Sequence, residues 1–136
     1  MSYHRQEKDL FTQFGIKISR GTMAHWTIFC AKNYLAPMLD YFRRCLSKRT
    51  YLCADETPVP VNKDGRPAGS KSFMWVYRSG YMYPGEQIVM YEYQRTRNAS
   101  HPRKFLKDYS GVCVTDGYQV YHTVEKELED LKIAGC

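Results

Sequence analysis

The chain has 136 residues, 43% of them hydrophobic and 15% aromatic, with 12 Tyr and 2 Trp. This is one domain's worth of polypeptide, able to bury roughly two-thirds of its unfolded surface, and it excludes a solvated linker or a disordered tail. The net charge of +6 lies wholly in the first fifty residues, which hold nine Lys/Arg against three acids while the remainder holds eleven against eleven, so an anionic partner is expected, nucleic acid before acidic membrane.

The chain opens on the charged run MSYHRQEKDL, and its longest uncharged stretch, Gly21 to Ala31, is far too short to span a bilayer. No membrane partner is expected. From Ile18 to Leu46 the pattern is helical: Ser19 is placed as an N-cap, and Met23, Trp26, Cys30, Leu35, Met38, Leu39, Phe42 and Leu46 recur at spacings of three and four as one buried stripe. Pro37 lies inside that run and removes a backbone donor, so it either begins a second helix or kinks a single long one; two helices are expected. Residues 1–50 therefore read as a basic helical segment, a connector or a helix-turn-helix, in front of a second part, 51–136.

From Tyr51 the texture changes to short β-branched and aromatic runs, Tyr51 to Val61, Ser72 to Tyr77 and Gln87 to Tyr93. Turn chemistry separates them, with Asp64-Gly65 in Asn62 to Gly69, and two glycines and Pro84 in Ser79 to Gly85, so the three form an antiparallel meander. Pro58 and Pro60 forbid ladder donation at two places and predict that the later part of the first strand leaves the sheet. Ser100, His101 and Pro102 open a covering helix with Phe105, Leu106 and Tyr109 on its buried side and Gly111 as its stop. Val112 to Thr115 is a strand buried on both faces and ends at Asp116-Gly117. Tyr118, Tyr121 and Val124 begin another helical turn, Glu125 to Lys132 is charged, and Ile133 to Cys136 reads as a fifth strand cut short. Cys30, Cys45, Cys53, Cys113 and Cys136 are odd in number and lack a Cys-x-x-Cys pair, which argues against a disulfide framework and a zinc knuckle and for a reducing cytoplasm.

Two acids stand in unusual places. Asp55 lies inside the first strand and Asp116 closes the fourth, although strand interiors disfavour Asp. On neighbouring strands they converge, and hard carboxylate oxygens suit Mg²⁺ or Mn²⁺ and the phosphate chemistry those ions support. The ordinary alternative is a turn at Asp116-Gly117 and a loop cap or arginine partner at Asp55. Glu56, next to Asp55 on a strand, faces the other way and reads as a partner for an arginine or for a backbone donor.

The string Ala54-Asp55-Glu56-Thr57-Pro58-Val59-Pro60-Val61, the segment Phe73-Met74-Trp75-Val76-Tyr77, the stretch from Ser100-His101-Pro102 to Phe105-Leu106, and Asp116-Gly117-Tyr118 with Tyr121 resemble the catalytic domain of bacterial insertion-sequence transposases, more narrowly their sixty-six family. Ile18 to Trp26 is similar to the helical segment before that family's catalytic core. The resemblance implies a DDE-type, ribonuclease-H-like α/β fold: three antiparallel strands plus a parallel one, with covering helices. It implies two divalent ions, Mg²⁺ or Mn²⁺, held by Asp, Asp and Glu, that drive DNA strand cleavage and strand transfer. By position Asp55 is the first acid and Asp116 the second, both catalytic and metal-binding. The third is expected on a helix after the fifth strand, beyond Cys136, and Glu125, Glu127, Glu129 and Asp130 before it read as a solvated charge run. A truncated catalytic domain, impaired in strand transfer, is therefore expected. Its partners are DNA, as element ends and target, in a bacterial cytoplasm close to the nucleoid, with homo-oligomerisation left open.

Arg95, Arg97, Arg103, Lys104 and Lys107 fall within thirteen residues that contain no acid and read either as a phosphate track or as a solvated basic loop, with Arg20 a further candidate DNA contact on the helical segment. The rival readings are a non-catalytic DNA-binding or interaction module from a decayed mobile element, which needs no convergence of Asp55 and Asp116, and an unrelated metal-dependent phosphohydrolase.

Overall fold

The computed structural model describes residues 1–61, 65–67 and 69–135, the side chain of Leu10 excepted. The expected turn at Asp64-Gly65 therefore lies partly outside the described residues. The chain divides into two units, Met1–Tyr41 and Phe42–Cys136.

In the first unit, α1 (Tyr3–Arg5) and α2 (Phe11–Gln13) flank a π-helical stretch, Gln6–Leu10. Helix α3 (Arg20–Cys30) starts as its sequence predicts, with Ser19 Oγ accepting the Thr22 N–H at 3.1 Å. A second π-helical stretch, Ala31–Leu35, leads without a break into α4 (Ala36–Ser47), closed by the Ala36 N–H on the Ala31 carbonyl; the part of α4 from Phe42 onward belongs to the second unit. A second α-helix thus begins beside Pro37 as expected, with a π-helical stretch as its joint to α3. Pro37 is the second residue of α4, and the wider π turn directly before it makes room for a ring that otherwise clashes with the preceding turn. The buried stripe is corrected. Met23 and Leu46 are buried, but Cys30 is exposed, and Trp26, Leu35, Met38 and Leu39 are each about half exposed, at 52%, 50%, 45% and 47%. Periodicity marks an apolar face; it does not supply the surface that covers it.

The second unit is a five-stranded sheet in the order β3-β2-β1-β4-β5, built from β1 (Tyr51–Pro60), β2 (Lys71–Ser79), β3 (Val89–Gln94), β4 (Gly111–Thr115) and β5 (Leu131–Gly135). The first three strands pair antiparallel as expected, and β4 runs parallel to both β1 and β5. Helices α5 (Ser100–Leu106) and α6 (Gln119–Glu125) lie in the connections into and out of β4. The result is a mixed α/β fold.

Strand β1 stays in the sheet through Pro60, which pairs with Lys71, against the expectation that its prolines peel it away. The Thr50 carbonyl accepts from Val112 on β4 at 2.9 Å, so even-numbered residues of β1 turn their backbone groups to that side. Pairing with β4 ends at Cys53↔Val114. Pro58 and Pro60 thus lack donors only along an edge where no neighbour asks for them.

Alternation sorts the side chains onto two faces. Leu52, Ala54, Trp75, Tyr77 and Cys113 form the core with Leu46, Leu106, Tyr109, Tyr121, Val124 and Leu131. Tyr77 stacks on Phe105 of α5 at 3.5 Å between ring centroids, and Trp75 meets Tyr121 of α6 edge-on at 6.1 Å. The row Val89, Arg78, Cys53, Val114 and Ala134 crosses the sheet on the opposite, more open face.

Gly111 is not the stop of α5, which ends at Leu106; it is the first residue of β4. Its φ is +148°, and a Cβ there would lie 2.6 Å from the Thr50 carbonyl oxygen. Gly111→Ala is expected to destabilise the fold by about 2 kcal/mol in urea unfolding; a cost indistinguishable from zero would contradict that close approach. Burial pushes the Cys113 thiol up to about 12 from 9.0 and holds Tyr77 and Tyr121 protonated well above the ordinary phenol range. The unfolded chain releases these protons first, so stability is expected to fall as pH rises above about 9. Unfolding midpoints measured between pH 7 and 11 check it.

Candidate functional site

The parallel register decides where the two aspartates meet. Continuing Cys53↔Val114 by two residues sets Asp55 level with Asp116, one place beyond the end of β4. Both line one cavity of about 260 Å³, together with Cys53, Ala54, Val76, Arg78, Val114 and Thr115. Asp55 Oδ1 accepts the Glu56 N–H at 2.8 Å, and Asp116 Oδ1 accepts the Tyr118 N–H at 3.1 Å. The second bond closes a tight turn through Gly117, whose φ is +81°. The turn reading of Asp116-Gly117 and the convergence of the two acids thus hold together, since each carboxylate uses one oxygen locally. Their oxygens are hard donors, of the kind that Mg²⁺ and Mn²⁺ take. Among the described residues no third His, Cys, Asp or Glu joins them in a group placed to hold a metal.

Behind the aspartates, on the core face, Glu56 is buried and its side chain has no exposed surface. An unpaired carboxylate there would cost several kcal/mol. Arg97 supplies the compensation: its Nε donates to Glu56 Oε1 at 2.7 Å and its Nη2 to the same oxygen, while the Tyr121 hydroxyl donates to Oε2 at 2.8 Å. The Arg97 guanidinium also lies over the Tyr118 ring, 3.7 Å from its centroid, and the Tyr118 hydroxyl donates to the Arg97 carbonyl at 3.2 Å. Burial works against the Arg97 charge, but the bond to Glu56 outweighs it and holds the guanidinium protonated more firmly than usual. One network therefore joins the neighbour of Asp55 to the turn that carries Asp116.

The candidate DNA contacts fare unequally. Arg97 is engaged by Glu56, and Arg103 by Glu127 through Nε at 2.5 Å and Nη2 at 2.7 Å. That pair raises the arginine and lowers the carboxylate. In the first unit Arg20 pairs with Glu7 at 2.8 Å. The Arg95 carbonyl accepts from Arg66 at 2.6 Å, and Lys104 and Lys107 are exposed. Nor is the acidic run before β5 merely solvated. Glu125 accepts the Ile133 N–H at 2.9 Å, which lowers its carboxyl, and Glu127 anchors α5. Tyr118 packs on Arg97 and is not part of the cavity lining. Arg78, which does line it, was not singled out by sequence, although it shares the alternation of Met74 and Val76 on the outward face of β2.

A family model described as Transposase IS66 family matches residues 1–136. The chain belongs to the IS66 transposase family. Two relatives from Sinorhizobium fredii (strain NBRC 101917 / NGR234) are similar to it: "Uncharacterized protein y4qI", 28% identical over 98% of this chain and 26% of its own length, and "Uncharacterized protein y4jD", 26% identical over 96% and 27%. This transposase-family chain thus spans about a quarter of the length of the curated relatives it matches.

Glu56 gives this network a structural test. Arg97→Ala leaves the buried carboxylate without its cation and is expected to cost about 2 kcal/mol, discounted for the 39% exposure of the Arg97 side chain. Tyr121→Phe is expected to cost about 1 kcal/mol. Urea unfolding of both variants checks this, and a smaller loss for Arg97→Ala than for Tyr121→Phe would contradict the ion pair as the main compensation.

Proposed function

We propose that this chain carries the metal-binding heart of a ribonuclease-H-like catalytic domain, which in the whole transposase cleaves and joins DNA strands. The observation that carries the reading is the convergence of Asp55 and Asp116 from adjacent parallel strands into one cavity. Family membership supports the activity class, and the sheet order β3-β2-β1-β4-β5, with its three antiparallel strands and parallel β4 and β5, supports the fold assignment.

In this reading Asp55 and Asp116 hold Mg²⁺ or Mn²⁺ through their carboxylate oxygens. Bound there, divalent ions supply activation of a water or a DNA 3′-hydroxyl and stabilisation of the leaving oxygen in phosphoryl transfer. The residues of the chain then have separate tasks. The two carboxylates set the position of the charge; the Asp116-Gly117 turn and the Glu56 N–H orient them. The Glu56, Arg97 and Tyr118 network keeps β1 and the turn after β4 at one spacing. DNA phosphates are met by cations outside the acid pair, Lys104 and Lys107 among them, whose side chains are exposed. A third acid is supplied by parts of the whole transposase other than the described residues.

Titration of the chain with Mn²⁺ tests the reading. Asp55→Asn and Asp116→Asn are each expected to weaken Mn²⁺ at least about tenfold, since each removes one of two anionic donors, and to leave the fold intact or more stable, because two close carboxylates repel. Mn²⁺ affinity unchanged in both variants would overturn the proposal and leave a non-catalytic DNA-binding module as the better account.

A further inference from the structure

Arg78 is the cation that the strand register delivers to the aspartates. It pairs with Cys53 across β1 and β2, one row from Asp55↔Val76, on the face that carries Asp55. With Asp55 and Asp116 it lines the same cavity. It is exposed, and it forms no ion pair or side-chain hydrogen bond with the described residues. The arginines on the acid-free stretch differ in this respect, for Glu56 engages Arg97 and Glu127 engages Arg103. A cavity walled by two carboxylates repels a phosphodiester unless cations stand beside them, and Arg78 adds a fixed one next to whatever divalent ion the acids hold. A guanidinium has the fork of donors that matches two phosphate oxygens at once.

We propose that Arg78 binds a phosphate of the DNA backbone at the mouth of the Asp55 and Asp116 cavity and so seats the strand against the acids. This rests on the metal-site reading above. Arg78 in this role is a substrate-binding residue, and Arg97 is a structural one.

The test uses the chain itself with Arg78→Ala and Arg78→Lys, measured against a random-sequence DNA duplex in Mn²⁺ over a series of salt concentrations, with a Mn²⁺ titration alongside. Arg78→Ala is expected to weaken duplex binding uniformly across sequences and to reduce the slope of log affinity against log salt by about 1, with Mn²⁺ affinity retained or increased. Arg78→Lys is expected to keep the slope and lose part of the affinity, because an ammonium keeps the charge without the fork. Duplex affinity and slope unchanged in Arg78→Ala, with Mn²⁺ still bound, would overturn the Arg78 assignment alone. Loss of Mn²⁺ binding in Arg78→Ala would overturn it in favour of a role in organising the acids. Failure of the unsubstituted chain to bind Mn²⁺ would overturn the metal-site reading and this assignment with it.

Discussion

A carboxylate cannot lie in an apolar core without compensation, and Glu56 lies there. Most of what surrounds the site follows from how that charge is met. Arg97 reaches it from the segment between β3 and α5, and Tyr121 from α6. Tyr118, on the turn after β4, covers the guanidinium. The meander, the crossover into β4 and the helix after it are thus joined at one point. Asp55 is the next residue along β1, and because a strand alternates, the same backbone that buries Glu56 presents Asp55 to the other face. The burial of one acid and the availability of the next are one structural fact.

The parallel pairing of β1 with β4 supplies the second half. Strands that run side by side in the same direction deliver their carboxyl ends to the same edge, the usual location of ligand sites in open α/β sheets. Asp116 arrives there one residue past β4, and the tight turn through Gly117 lets the chain reverse into α6 without carrying the acid away. Gly111 guards the other end of β4, where the approach to Thr50 leaves no room for a side chain.

Much of this was legible in the sequence. Turn residues and β-branched runs marked the strands, Ser19 marked a helix start, and the strand positions of Asp55 and Asp116 marked the acids. What was not legible depended on partners distant in sequence. The spacing of Trp26, Leu35, Met38 and Leu39 describes an apolar face but does not name a surface to cover it. Pro58 and Pro60 looked like the end of β1 because sequence does not say which of its edges is open. The acid-free stretch from Arg95 to Lys107 looked uniformly available for phosphate, yet Glu56 and Glu127, 41 and 24 residues away, engage two of its arginines. Arg78 is silent in the sequence for the converse reason: a lone arginine in an apolar strand gains meaning only once the register puts it beside two acids.

The central claim is that Asp55 and Asp116 form one divalent-ion site. Anomalous diffraction at the manganese edge, from crystals of the chain grown with Mn²⁺, tests it most directly. The account predicts an anomalous peak within coordination distance of carboxylate oxygens from both residues. Well-ordered aspartates with no peak between them, in crystals that bind Mn²⁺ elsewhere, would contradict it.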